Sequence, residues 1–586
     1  MNTKIIGFWR KKYFGSRTSL ILASVFIGLV TSLSAVILKN GVHLIQTQVH
    51  KISSLENFHY TLFLFPTLGI LLTVIYTQVF RNGRLGRGVT NIIYSISRKS
   101  SYVEKDKLYS QMFTSILTVG FGGSAGLEAP IASTGSAIGS NVARWLRFDL
   151  KERTILLACG AAAGISAIFN APIAGVIFAF EILLVDMPTS VIVPLLIASA
   201  TASILSHMIY SGQPFVLITE VWNSDNLLYY ILFSFFAAII SVYSIRVYFS
   251  IGDVFAKHGT PYLRAILGGL LLGTLIFIFP PLYGEGYESV LKLLHNQEFS
   301  LITNGNLIPL GGIWSLVMFT LALMLLKVVA TSFTVGAGGN GGMFGTSLFT
   351  GAMCGFTFSR SVNMLGIAHL NEVHFTVIGM AALMSGVIHA PLTAIFLIAE
   401  ITGGYSLFLP LMIVSSIAYL ISKYFEPYSV YTKSLAQKGD LITTDKDKVV
   451  LSKMQLSDYI ETDFIPVLQT DSLAKLIPII EKSKRNIFPV VDLHNNFLGE
   501  IFLDNVRHVM FSKELYHQTF LVDLMVSPPA VIEIQDSMEQ VLKKFDETEA
   551  WNLPVTNQDK YVGFISKSKI FTHYRLHLIK EATLPA

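Results

Sequence analysis

Glu128 is a carboxylate in an unexpected place. It lies in "GGSAGLEAPIASTGSAIG" (122–139), among glycines, alanines and serines and between long apolar stretches. The stretch reads as the start of a helix. A helix N-terminus presents unpaired N–H groups and about half a positive charge, so it attracts an anion without any full charge. Three glycine-rich stretches each precede a helix-compatible apolar run. They are "LGRGVTN" (85–91) with Gly86, Arg87 and Gly88, "GLEAP" (126–130) with Gly126, and "GGMFGTS" (341–347). Several such termini converging near a bilayer midplane hold an anion yet let it leave. An ionised Glu128 competes for the same positive end; protonated or swung aside, it releases the site. The plainer reading is a dipole partner worth under about 1 kcal/mol at a surface. An ionisable residue inside a bilayer points instead to function. Glu181 and Glu400 differ: each closes an apolar run and reads as a helix-end residue.

The elements that must position these residues are membrane spans. The chain has 586 residues, 52% hydrophobic and only 14% charged, against about 25% charged in soluble domains. A formal net charge of +5 is small for this length and implies no nucleic-acid partner. Cys159 and Cys354 lie in apolar runs without metal or disulfide spacing, so they read as packing residues. A basic start with Lys4, Arg10, Lys11, Lys12 and Arg17 precedes an apolar run from Leu20 to Leu38. That run is long for a cleaved signal, so residues 1–19 read as a cytoplasmic N-terminal segment before a first span. Residues 20–436 read as the membrane domain and contact lipid. Ordinary spans are expected at 20–38, 61–80, 227–243 and 262–280. Spans broken by glycine and proline are expected at 122–145, 159–184, 334–358 and 376–402. Such breaks are tolerated where the freed backbone lines a cavity or is covered by protein. For any one glycine cluster, tight helix packing is an equal reading.

The chain repeats itself. "CGAAAGISAIFNAPIAGVIFAFE" ends at Glu181 and "IGMAALMSGVIHAPLTAIFLIAE" ends at Glu400; the same offset separates Pro172 from Pro391 and Ser166 from Ser385. Interrupted helices at matching places in two halves mark a transporter-like fold with its site at the repeat interface.

Taken together, "GLEAP", "GGMFGTS", "FNAPIAGVIFAFE" and "SVYTKSL" resemble the CLC family of chloride channels and chloride/proton antiporters. The resemblance runs over most of residues 20–436. It implies an all-α inverted-repeat membrane domain of broken helices, in a homodimer with one pore per subunit and chloride as the default anion. It assigns Glu128 as the gate, the backbone N–H groups of Met343 and Phe344 as anion donors, and the Tyr431 hydroxyl as an anion ligand. Three departures bear on this. Arg87 stands where a central serine is expected, and Thr90 replaces a proline. Facing the pore, Arg87 would hold an anion or pair with Glu128; turned to the cytoplasm it would act as a funnel; or it snorkels away. Ala129 replaces a glycine, and Gly345–Thr346 alters the end of the third stretch. Ile182 occupies the place of the inner proton-relaying glutamate of coupled antiporters, and isoleucine carries no proton. That favours channel-type conduction over antiport. A cation channel would want rings or clusters of carboxylates, and an enzyme would want a Walker loop, metal-ligand pattern or nucleophile–base pair; none is legible.

From about Gln437 the chain turns charged. Residues 437–458 read as a linker. A second repeat follows at 459–511 and 523–578, with one offset relating Asp471 to Asp536 and Pro489 to Pro554. Its strand–helix–strand–turn–strand–helix pattern resembles a pair of α/β cystathionine-β-synthase (CBS) domains. Such pairs can bind an adenosine nucleotide, the one cofactor implied. The position of the usual ribose-binding acid falls at Asn505, beside Asp504, so nucleotide sensing and dimer bracing stand level. The expected location is a prokaryotic plasma membrane with both termini cytoplasmic.

Overall fold

The computed structural model describes residues 16–53, 63–83, 85–86, 88–183, 191–210, 222–257, 259–303, 314–440 and 454–574. Arg87, most of the 1–19 segment and most of the linker lie outside them. The chain divides into two compact units, Met1–Leu441 and Ile442–Ala586.

The first unit is helical. Helices α1 (Ser16–Ser53) and α2 (Phe65–Arg81) pack on the helix Ser110–Gly120 in opposite senses. A Cβ on Gly41 would meet Ile116 and one on Gly120 would meet Ile45, whereas a Cβ on Gly69 would meet Phe121 and the Thr73 hydroxyl donates to the Thr114 oxygen, so α1 and α2 are antiparallel. Next come α3 (Gly88–Arg98), α4 (Glu128–Trp145), α5 (Leu150–Phe169) and the short α6 (Pro172–Phe178). Further along lie α7 (Tyr287–Leu294), α8 (Ser315–Gly336), α9 (Met343–Met364), α10 (Glu372–Ile388) and α11 (Pro391–Ile401). Among the described residues, seven helices are long and apolar enough to cross a bilayer. Ile192–Ile209, Ser315–Gly336 and Phe408–Phe425 add to the spans expected from sequence. Helix α1 and the helix Leu227–Lys257 overrun their expected ends at 38 and 243. No proline follows those points within either helix, so nothing local stops it.

The expected breaks fall where glycine, proline and left-handed residues permit them. Helix α5 starts at a reciprocal cap, in which Asp149 accepts the Glu152 N–H at 2.7 Å and Glu152 accepts the Asp149 N–H at 3.2 Å. It ends at Asn170 (φ 55°), and α10 ends at His389 (φ 62°) at the matching repeat position. Two residues later Pro172 and Pro391 start α6 and α11, where a missing N–H costs nothing.

Small residues weld each half. A Cβ on Gly160 of α5 would sit 1.8 Å from the carbonyl oxygen of Gly135 in α4, and one on Gly139 2.0 Å from that of Leu156. The second half repeats the crossing: a Cβ on Gly355 of α9 would sit 1.8 Å from the Phe375 oxygen of α10, and one on Gly351 2.2 Å from that of Gly379. These glycines serve packing. Cys159 and Cys354, both buried free thiols, lie in the same helix pairs.

The second unit holds two three-stranded sheets. In one, β1 (Val467–Leu468) is parallel to β2 (Ile487–Val491), which is antiparallel to β3 (Phe497–Phe502). In the other, β4 (Ile532–Glu533), β5 (Asn552–Asn557) and β6 (Lys560–Ser566) repeat that order. Even the irregularity recurs, between Val490 and Val491 and between Val555 and Thr556. The sheets meet edge to edge through the Asn496–Lys560 bridge.

Candidate functional site

The glycine-rich stretches before α4 and α9 pair with each other. The Gly126 N–H donates to the Gly342 oxygen at 3.0 Å, and the Gly342 N–H donates to the Gly126 oxygen at 2.9 Å. Two helix N-termini from different halves of the chain are thereby fixed side by side. The third joins through Ala129, whose methyl lies 2.8 Å from where a Gly88 Cβ would stand and 2.7 Å from where a Gly342 Cβ would stand. The alanine that departs from the family pattern fills the space where the three starts meet.

A buried amide network sets the loops behind them. Gln111 donates to the Leu85 oxygen at 3.1 Å and accepts from the Asn340 amide at 3.0 Å. Asn340 also donates to Thr114 at 2.7 Å, and its own N–H is held by Thr118 at 3.0 Å. These residues have no fixed spacing that would announce them in sequence.

Glu128 is 1% exposed and begins α4. One of its oxygens accepts the Gly345 N–H in the first turn of α9 at 3.2 Å. The other accepts the hydroxyl hydrogen of Tyr287. The carboxylate therefore occupies a position that an anion would take at the start of α9. A Cβ on Gly126 would stand 2.1 Å from that carboxylate, so only glycine admits it there. Phe344, fully buried, stacks on Phe169 and meets Phe178 edge-on, which locks the first turn of α9.

Cavities lie on both sides of Glu128. One, of about 390 Å³, is lined by Gly86, Gly88, Ala129, Met343 and Tyr431, beside the last turn of α2. The Tyr431 hydroxyl is buried and has no hydrogen-bond partner among the described residues. The other two, of about 350 and 370 Å³, share Glu285, Tyr287, Glu288 and Gln46 and lie against the second half of α1. Helix α1 ends on the side where α2 begins, so these cavities and the Tyr431 cavity lie toward opposite ends of the two helices.

Met343, Tyr431, Gly86, Gly88 and Gly126 thus gather around Glu128 or the cavity below it. Ile182 lies away from that cavity, in a π turn at Ala179–Leu183, packed against the core. Asp504 is exposed and pairs with Arg507 at 2.8 Å; Asn505 follows it in the turn Leu503–Val506. Sequence reading missed Tyr287, Glu285, Gln111 and Lys327. Lys327 had a signal, a lone cation within an apolar span. It is fully buried and donates to the Gly284 and Leu282 oxygens at 2.8 and 3.3 Å.

The family model for voltage gated chloride channels matches residues 68–423. The chain belongs to that family. It is a multi-pass membrane protein of a chloride-transporting family, and it carries a C-terminal CBS domain, whose model matches residues 521–575. A ClcB-like protein of Ralstonia nicotianae is 30% identical over 390 residues, 64% of this chain and 86% of that one. The H(+)/Cl(-) exchange transporter ClcA of Vibrio cholerae is 26% identical over 437 residues, 71% of this chain and 89% of that one. Among solved structures, a slow cyanobacterial Cl-/H+ antiporter aligns with TM-score 0.63 at 23% identity, covering 72% of this chain and 97% of its own. A eukaryotic CLC transporter aligns with TM-score 0.62 at 19% identity, covering 94% and 97%.

Proposed function

We propose that this protein conducts chloride through a pathway gated by Glu128. The observation that carries the reading is the Glu128 carboxylate seated on the Gly345 N–H between cavities that lie toward opposite ends of α1 and α2. The gate opens when that carboxylate is protonated or displaced and an anion takes the N–H groups at the start of α9, including those of Met343 and Phe344. The unpartnered Tyr431 hydroxyl is the next donor, toward the cavity below. Glu128, Met343 and Tyr431 belong to one chain, so each subunit of a homodimer holds a complete path. A basic N-terminal segment held in the cytoplasm supports a cytoplasmic face for the Tyr431 cavity. The second unit acts as a paired CBS module, supported by the repeated strand order of its two sheets.

Conduction is passive in this reading, because Ile182 holds no proton where coupled relatives are expected to carry one. Antiport is the second reading, favoured by the exchange transporters among the similar chains. Chloride flux from proteoliposomes with proton movement recorded separates them. Passive conduction predicts chloride efflux without uphill proton movement, and uphill protons would establish antiport. Glu128→Gln should abolish pH dependence and leave anion flux; a retained pH dependence would remove Glu128 from the gate.

A further inference from the structure

Two residues of one turn reach the start of α4. Tyr287 donates its hydroxyl to Glu128. Glu285, two positions earlier, accepts the N–H of Leu127, the residue just before Glu128, at 3.4 Å. The turn is built to hold this pose. Gly284 (φ 58°) and Gly286 (φ 86°) flank Glu285 in left-handed backbone that other residues rarely adopt. The buried Lys327 ammonium pins the turn through the Gly284 oxygen at 2.8 Å.

Glu285 also lines both cavities on the α1 side. The other carboxylate they share, Glu288, is exposed and paired with Lys292 at 2.9 Å. Facing Glu285 are Lys39 and His43 from α1, Lys327 from α8, Glu128 from α4 and Tyr210. On its own turn the titratable neighbours are Tyr283, Tyr287 and Glu288, and His50 lines the adjoining cavity. Two cations, Lys39 and Lys327, thus face Glu285, whose charge and that of Glu128 act on each other. A charge change on one carboxylate is felt by the other.

We propose that Glu285 is the proton relay for Glu128 on the α1 side: protons from cavity water load Glu285, and its carboxyl passes them to Glu128. In the forward step the Glu285 O–H bond breaks and an O–H bond forms on Glu128, directly or through one water. Glu285, left as carboxylate, takes the next proton from the cavity. The reverse sequence discharges Glu128. The proposal rests on Glu128 being the gate. It gives the chain a relay on the face opposite the missing inner one.

The test is chloride current across a planar bilayer, with pH stepped on one face at a time. Glu285→Gln should slow the relaxation after a step on the α1 face by roughly tenfold or more, since a positioned acid–base group is worth at least that much. Steps on the other face should relax at the wild-type rate. Glu285→Asp should recover most of the speed. Glu285→Ala should be slow and regain speed when imidazole is added on the α1 face, a readout that does not depend on the glutamine variant folding. Wild-type relaxation in Glu285→Gln, or no imidazole effect in Glu285→Ala, overturns the relay. Glu128→Gln run alongside separates the two ideas. If it abolishes the pH response while Glu285→Gln is unchanged, only the relay falls; if it keeps the response, the gate reading falls.

Discussion

Glu181 and Glu400 each cap the helix that the other one closes. Glu181 accepts the N–H groups of Leu392 and Thr393 at 3.1 and 2.8 Å, in the first turn of α11. Glu400 accepts those of Ile173 and Ala174 at 3.0 and 2.7 Å, in the first turn of α6. The four donors correspond under the repeat offset that relates the two acids. A contact in which i meets j and j meets i marks a local two-fold axis. Because each helix end meets the other's start, the two helices are antiparallel, which is the inversion of the repeat seen in its smallest unit.

This exchange predicts a matched pair of losses. Charge-assisted hydrogen bonds contribute about 1.5–3 kcal/mol, and each carboxylate also faces a helix N-terminus. Glu181→Ala and Glu400→Ala should each destabilise the protein by roughly 2 kcal/mol, read as a lower Tm in detergent. A loss in one variant and none in the other would contradict the symmetry.

The helix-welding glycines predict a sharper contrast. Gly160→Ala places a methyl 1.8 Å from the Gly135 carbonyl oxygen, where only backbone could yield. That variant should fail to give a monodisperse protein. Gly252, within the helix Leu227–Lys257, meets nothing within 4 Å. Gly252→Ala should be tolerated and gain about 0.5–1 kcal/mol from helix propensity. Similar behaviour of the two variants would refute the packing account.

The helix starts were legible because glycine and proline punctuate an apolar chain: α3, α4 and α9 begin at Gly88, Glu128 and Met343, within the three stretches singled out. Glu128, proposed as the gate, stood out for the same reason, a lone charge in apolar surroundings. Its partners did not. Tyr287 and Gly345 join Glu128 from far along the chain, and a tyrosine in a half-apolar helix carries no local mark. Gln111 and Asn340 are ordinary amides until folding buries them against each other. The inversion of the repeat was also silent, since an offset between like residues is the same for parallel and antiparallel copies.

The Tyr431 hydroxyl predicts a separation of binding from stability. It is buried without a partner among the described residues, so Tyr431→Phe removes a donor that none of them uses. Stability should hold or rise slightly. If the hydroxyl serves an anion in the adjoining cavity, losing one hydrogen bond to a charged ligand should weaken chloride affinity roughly tenfold. Calorimetric titration with chloride, beside a thermal melt, checks both. Unchanged affinity would remove Tyr431 from the pathway, and a large drop in Tm would show that it braces the fold.

Glu500 gives the second unit a pH dependence of definite sign. It is buried in β3, and one carboxylate oxygen meets no partner among the described residues. Burial lifts its carboxyl from the ordinary 4.5 to about 7. The folded state therefore binds a proton that the unfolded chain releases between these values, and stability contributed below pH 4.5 is lost as pH rises through about 7. Glu500→Gln keeps the shape without the ionisation. Hydrogen exchange of β2 and β3 amides in the full-length protein, wild type against Glu500→Gln at each pH, cancels the intrinsic pH effect on exchange. Protection of the wild type relative to the variant should fall between pH 5 and pH 8, because only the wild type must then ionise a buried carboxyl. A constant difference, or one that grows in favour of the wild type, would mean that Glu500 finds a partner or water on ionising.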